Sequence, residues 1–232
     1  MARPLQPRIR KASLLLPFSL ILAACQQPAV ASEKAVSAPA AKLRANEASG
    51  LKTAIFAGGC FWGVEGVFSH VKGVKSAVSG YHGGARNSAN YKAVSAGRTR
   101  HAEAVRLKYD PEVVRYDQLL RIFFSVVADP TLKNRQGPDI GPQYRAALIP
   151  LGSEQRTVAR AYLAQMSRSG LWNKPIVTGI EKYAAFYAAE RNHQDFMLKN
   201  PRHPYILRWD KPKVRGLAKL YPKHFRSGFT RG

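Results

Sequence analysis

Two glycines followed by a cysteine set the strongest local constraint in this chain. Residues 51–57 run Leu-Lys-Thr-Ala-Ile-Phe-Ala and read as a strand, which Gly58-Gly59 must end. Directly afterwards Phe61, Val64, Phe68 and Val71 recur at helical spacing. The chain therefore passes from strand to helix with no room for a loop. Cys60 falls at the helix N-terminus, where backbone N–H groups lack intrahelical partners and the helix dipole is positive. Both favour thiolate, the nucleophilic form. The paired glycines let the backbone come close to a ligand there.

The rest of the body continues this mixture. Residues 80–90 are Gly, Ser, Asn and aromatic, and read as a loop. Residues 101–109 read as a strand with His101, Glu103, Val105, Leu107 and Tyr109 on one face, stopped by Asp110-Pro111. Leu120, Phe123, Phe124 and Val127 share a helical face within residues 117–127. Residues 129–142 form a long polar loop, and residues 144–151 another strand. Ser153 can cap a helix to about residue 169, with Gly170 just past its end. A strand over residues 175–180 and a last helix over about 183–198, stopped by Pro201, complete the pattern. There is no internal repeat. Irregular alternation in a 232-residue chain predicts one α+β domain over residues 51–210, a mixed α/β sandwich with a central sheet and flanking helices.

The N-terminus reads as an address. Arg3, Arg8, Arg10 and Lys11 precede an apolar run over residues 12–24, the length of a signal-peptide core and short for a membrane span. The run ends Leu22-Ala23-Ala24-Cys25, like the site at which bacterial lipoproteins are cut and lipidated on cysteine. A soluble product cut after Ala29-Val30-Ala31 is the alternative. On the first reading residues 1–24 are a signal peptide, Cys25 carries lipid, and the mature protein is held in the periplasm or at the outer membrane. Residues 25–50, rich in Ala, Ser, Gln and Pro, read as a flexible tether. Residues 211–232 read as a basic tail. Ten Lys or Arg lie between Lys199 and Gly232, against Asp210 alone. Such charge could bind nucleic acid, but the export signal argues instead for a surface near anionic lipid or a solvated extension. The whole chain has 37 Lys and Arg, 14 Asp and Glu, and a formal charge of +23. Its two cysteines exclude a disulfide scaffold and a cysteine-based structural zinc site.

Gly59-Cys60-Phe61-Trp62-Gly63-Val64-Glu65 resembles the signature of the A-type peptide methionine sulfoxide reductases. Three further blocks follow in that family's order. The first is Gly80-Tyr81-His82-Gly83-Gly84 with Tyr91, His101-Ala102-Glu103-Ala104-Val105 and Tyr109-Asp110-Pro111. The next holds Asp129-Pro130-Thr131, residues 134–139 and Gly141-Pro142-Gln143-Tyr144-Arg145. The last holds Ala189-Glu190, residues 193–196, Asn200-Pro201 and Pro204-Tyr205-Ile206. The resemblance spans roughly residues 51–207.

What it implies is reduction of methionine sulfoxide, as the S epimer, in proteins and peptides and as the free amino acid. Cys60 matches the nucleophile that attacks sulfur, and Glu103 the acid that protonates the departing oxygen. Tyr91 and Tyr144 match the tyrosines that bind that oxygen. Phe61 and Trp62 match the pocket for the S-methyl group, and Asp139 a residue that helps bind substrate. No cofactor and no metal are implied; His101 and His193 lack a spaced ligand set with Glu103. Glu65 belongs to the motif and takes no proton-transfer role, being stabilising anyway near the helix start.

The chain departs from many members in having no second cysteine beside the reactive one. Its tail has none, Ser95 stands where some members carry one, and Cys25 would be blocked by lipid. The expectation is a one-cysteine cycle, with the sulfenic acid reduced by an external dithiol or a thioredoxin-like protein. Arg100, Ala128 and Asn192 replace the family's usual residues without removing a matched group, and strand alternation turns Arg100 away from Glu103. A monomer with no nucleic-acid partner is expected. Two other classes compete: a lipoprotein that binds an anionic partner through its basic tail, and a different cysteine enzyme such as a peroxidase. The lack of a C-x-x-C pair argues against a thioredoxin-like redox site.

Overall fold

A computed structural model describes residues 1, 2 and 35–232. Cys25 and nearly all of the leader lie outside the described residues.

Strand β1 (Lys52–Gly58) leads straight into α1 (Phe61–Ser69), and β2 (Val74–His82) follows. A short helix α2 (Tyr91–Ser95) precedes β3 (Ala102–Tyr109), and α3 (Tyr116–Ile122) winds on into a wider turn over Phe123–Val127. The small hairpin β4 (Arg135–Gln136) and β5 (Asp139–Ile140) is followed by β6 (Ala146–Ile149) and α4 (Ser153–Ser167). Then come β7 (Gly179–Ile180), β8 (Phe186–Ala188), α5 (Phe196–Lys199) and α6 (Lys211–Leu220).

Six strands form the main sheet in the order β7-β6-β1-β3-β2-β8. Only β6 and β7 run parallel; the other pairs are antiparallel. This is the expected α+β architecture, a mixed sheet with flanking helices. Its core is organised by Phe56 on β1, whose ring stacks on Phe68 of α1 at 5.3 Å, on Phe123 at 5.3 Å and on Tyr116 of α3 at 5.9 Å. All four rings are fully buried, and each such side chain stabilises the fold by about 1.5–3 kcal/mol. The stack locks the last turn of α1 against the sheet and so sets how the helix lies on it.

Two segments that meet at the sheet differ from the sequence reading. Gly80, Tyr81 and His82 are not loop: they pair with Ala104, Glu103 and Ala102 of β3 and with Ala188, Tyr187 and Phe186 of β8. Gly80 serves there because a Cβ would meet Phe186 and the Tyr187 carbonyl at 2.4 Å. The helix expected over 183–198 is instead an edge strand, a set of turns and one helical turn. The β2 edge offers unpaired backbone groups, and satisfying them outweighs the helix propensity of an alanine-rich run.

Neither the described part of the tether nor the tail is free. Part of the expected tether, residues 35–47, is strapped to the domain. Ser125 accepts from Val36 N at 2.9 Å through its carbonyl and from Ala38 N at 3.0 Å through its hydroxyl. Tyr162 donates to the Pro39 carbonyl at 2.7 Å, Ala45 N to Asp117 at 3.0 Å, and Tyr116 N to Glu47 at 2.9 Å. Ala38 and Ala45 are buried. The expected basic tail begins as α6, then runs back along the end of α1. Lys72 N donates to the His224 carbonyl at 2.7 Å, Arg226 N to His70 at 2.8 Å and Thr230 N to Ser69 at 2.9 Å. Composition cannot reveal such docking, because it rests on backbone groups and on small buried side chains.

Candidate active site

Cys60 is the residue that starts α1, as the sequence predicts. Gly59 before it adopts φ +89°, and a Cβ there would lie 2.6 Å from Gln136. Only glycine fits that conformation and that gap. Gly63, one turn into the helix, leaves room for Asp210, whose Oδ1 would be 2.3 Å from a Cβ. Acidic groups thus crowd the start of the helix. Burial, together with the charges of Glu103, Asp210 and Asp139, pushes the Cys60 thiol well above its ordinary value, and the Trp62 N–H opposes this only in part. The resting group is therefore thiol. Helix position alone favours thiolate, but desolvation, with the charges of Asp210 and Asp139, outweighs one helix terminus.

Glu103 lies on β3 opposite Tyr81 of β2. The register pairs Phe56 with Val105, so Glu103 falls level with the point where β1 gives way to α1. Its Oε2 accepts the Phe61 N–H at 3.0 Å, the first amide of the helix. The side chain is 1% exposed. Burial first, and then the charge of Asp139, raises its pKa to about 8 despite that hydrogen bond. Glu103 is protonated at neutral pH. Arg100 is exposed and does not act on it, as strand alternation predicts.

The other predicted residues gather around this pair. Tyr91 opens α2, and Tyr144 ends a short turn over Pro142–Tyr144. Burial raises both phenols, and both feel the charges of Glu103, Asp139 and Cys60. Asp139 on β5 accepts the Tyr205 hydroxyl. Phe61 is fully buried against Tyr81 at 5.8 Å. Trp62 is partly exposed and stacks on Phe196 of α5 with ring centres 3.7 Å apart. Tyr205 closes edge-on at 5.9 Å.

Several residues at this site escaped the sequence reading. His193 Nδ1 accepts the Trp62 indole N–H at 3.2 Å, and its ring lies 4.2 Å from that of Tyr91. An accepting Nδ1 makes this imidazole neutral with its proton on Nε2. Burial pulls its pKa below the ordinary value, although Glu190 pulls it up. Glu190 accepts Tyr91 N at 2.8 Å and the Tyr81 hydroxyl at 2.7 Å; burial raises this carboxyl, and those hydrogen bonds overcome the rise and lower it. The only signal was membership of the fourth sequence block. The loop shape that aims these side chains at Trp62 and Tyr91 is tertiary. His101 does not join them, since its ring is taken up by Gly84 N at 3.1 Å and the Ala85 carbonyl at 3.0 Å. Among the described residues no group of His, Cys, Asp and Glu is placed to hold a metal ion. Glu65 is no first-turn surface acid. It is 1% exposed, and burial raises it to about 8 against backbone groups of Asp195, Ser79 and Phe196 that draw it down.

A mixed sheet feeding a helix that begins at a half-buried cysteine, with a protonated carboxyl on that helix's first amide, defines a single-domain α/β thiol-dependent oxidoreductase. Residues 52–224 match the sequence model of the family described as peptide methionine sulfoxide reductase. A peptide methionine sulfoxide reductase MsrA 2 of Mesorhizobium japonicum is 53% identical over 175 residues, 75% of this chain and 90% of that protein. One of Synechocystis is 49% identical over 174 residues, 75% of this chain and 81% of that protein. Methionine sulfoxide reductase A of Corynebacterium diphtheriae superposes with a TM-score of 0.57 at 30% identity, covering 76% of this chain and 93% of that one. The chain belongs to the A-type peptide methionine sulfoxide reductase family, whose members reduce methionine sulfoxide.

Proposed function

We propose that this enzyme reduces the S epimer of methionine sulfoxide in proteins, in peptides and as the free amino acid, with Cys60 as nucleophile and Glu103 as general acid. The observation that carries this reading is the buried Glu103 carboxyl, raised to about 8 and anchored on the amide next to Cys60. A sulfoxide oxygen leaves only if it is protonated, and a group neutral at pH 7 in a dry site can supply that proton. The Tyr91 and Tyr144 hydroxyls, raised and undissociated, donate to the same oxygen as its charge grows. Phe61 and Trp62 hold the S-methyl group, and Asp139, oriented by Tyr205, orders the substrate. Cys60 Sγ bonds to the sulfoxide sulfur as the protonated oxygen leaves as water; water then adds to Sγ while the Sγ–sulfur bond breaks, so thiol plus sulfoxide become Cys60 sulfenic acid plus methionine.

The sequence has no cysteine within the described residues other than Cys60. With Cys25 lipidated, the cycle closes through an outside reductant. Two thiols of a dithiol, or of a thioredoxin-like protein, convert the sulfenic acid to thiol and water and leave as disulfide. The leader and Cys25 support a lipid-anchored enzyme that repairs oxidised proteins of the cell envelope as a monomer. The test is reduction of each epimer of a methionine sulfoxide peptide with excess dithiothreitol, beside Cys60→Ser. Loss of S-epimer reduction in the variant is expected; equal activity on the R epimer, or activity without Cys60, would overturn the reading.

A further inference from the structure

We propose that the face built from α5, α6 and the last residues of the chain is a docking surface for an anionic lipid bilayer. Met197, Leu198, Pro201, Val214 and Phe229 line an apolar groove of about 350 Å³ that opens to the surface, with Lys211 and Arg215 among its lining residues. Leu198 is 39% exposed. Exposed cations adjoin the groove in sequence: Lys199 beside Leu198, Arg202 beside Pro201, and Arg226 beside Ser227, which also lines it. From Phe196 to the C-terminus the only acid is Asp210, and it is buried. Apolar lining with a cationic border matches the two halves of an anionic amphiphile: acyl chain in the groove, phosphate on Lys211 and Arg215.

Charge distribution favours a bilayer over a protein partner. Over all the described residues the exposed acids are Glu112, Glu154 and Glu190, so this face carries no alternating pattern for a partner's own charges to match. A diffuse sheet of negative charge needs no such pattern. The surface is also continuous with the catalytic region. Phe196, stacked on Trp62, is the first residue of α5, and the next two residues line the groove. A docked molecule would hold its substrate pocket close to the membrane; that consequence rests on the proposed function, whereas the docking itself does not.

Protein beginning at residue 26, which lacks the apolar leader and Cys25, is partitioned onto vesicles of phosphatidylcholine alone and of phosphatidylcholine with phosphatidylglycerol. At roughly fivefold per cation, Lys211→Ala with Arg215→Ala should weaken partition onto the anionic vesicles about 25-fold. The exposed pair Lys174→Ala with Lys182→Ala removes equal charge elsewhere and should change it less than about threefold. The emission that Val214→Trp adds over the parent, which has three tryptophans, should be quenched by brominated acyl chains, and the emission that Val177→Trp adds should not. Circular dichroism checks that each variant is folded. Equal losses in the two double variants, no preference for anionic vesicles, or no quenching at residue 214 would each overturn the proposal. So would binding to polyglutamate that depends on Lys211 and Arg215 without any vesicle partition, because it would assign the face to acidic protein.

Discussion

Replacing Glu103 with Gln should make the protein more stable at neutral pH and far less active. Burial raises this carboxyl from 4.5 to about 8. In the unfolded chain it ionises near the lower value. As pH rises between the two, the unfolded state loses its proton while the folded state keeps it, so wild-type stability falls by about 1.4 kcal/mol per pH unit. From pH 4.5 to pH 7 the loss attributable to Glu103 is roughly 3 kcal/mol. Gln is neutral in both states, and its amide oxygen can accept the Phe61 N–H that Oε2 accepts at 3.0 Å. A buried NH2 without a full set of partners costs about 1–2 kcal/mol, leaving Glu103→Gln more stable by about 1–2 kcal/mol at pH 7. Loss of the general acid should lower kcat about 10²–10⁴-fold, and the wild-type rate should decline as pH rises through about 8. Urea unfolding from pH 4.5 to 8 reads the first effect, and steady-state reduction of a methionine S-sulfoxide peptide reads the second. Glu65 contributes the same pH slope, so the quantity that matters is the difference in slope between wild type and variant. Identical slopes would mean that Glu103 is ionised in the folded protein, and the acid role would fall with that result.

Glu65→Gln should show the same gain in stability above pH 4.5 without loss of kcat, since this carboxyl is raised to about 8 by burial, with the Asp195 charge adding to it, among backbone groups; a large fall in kcat would show that it touches the reaction. His193→Phe removes the acceptor of the Trp62 indole N–H and should raise KM by up to about fivefold, the worth of one hydrogen bond, with kcat nearly unchanged. In the wild type the neutral imidazole is favoured by burial, so the stability it contributes is whole above the ordinary His range and drains as pH falls through and below it. An acid-side rise in KM that is absent from His193→Phe would confirm the link. Ser125→Ala removes a hydroxyl that donates to the Arg121 carbonyl at 2.7 Å and binds both Ala38 N at 3.0 Å and Tyr221 Oη at 2.6 Å. It should cost about 1–3 kcal/mol in urea unfolding and increase hydrogen exchange at residues 36–38; unchanged exchange would refute the strap.

The sequence alone determined the strand, the glycine turn and the helix around Cys60, because period-two and period-3.6 patterns and a Gly-Gly break are local properties. It also identified the matched set Cys60, Glu103, Tyr91, Tyr144, Phe61, Trp62 and Asp139, through a motif order that survives without coordinates. Tertiary structure decided the rest. Residues 183–198 have helix-forming composition, yet the open edge of β2 draws residues 186–188 into the sheet. Residues 35–47 look like a linker, yet buried partners on Ser125, Asp117 and Tyr162 hold them down. Above all, the charge state of Cys60 could not be read from its place at a helix start. It depends on the burial of Cys60 and on Asp210 and Asp139, carboxyls far apart in the chain and brought together only by folding. Electrostatic energy is set by distance and dielectric, and neither exists until the chain has folded.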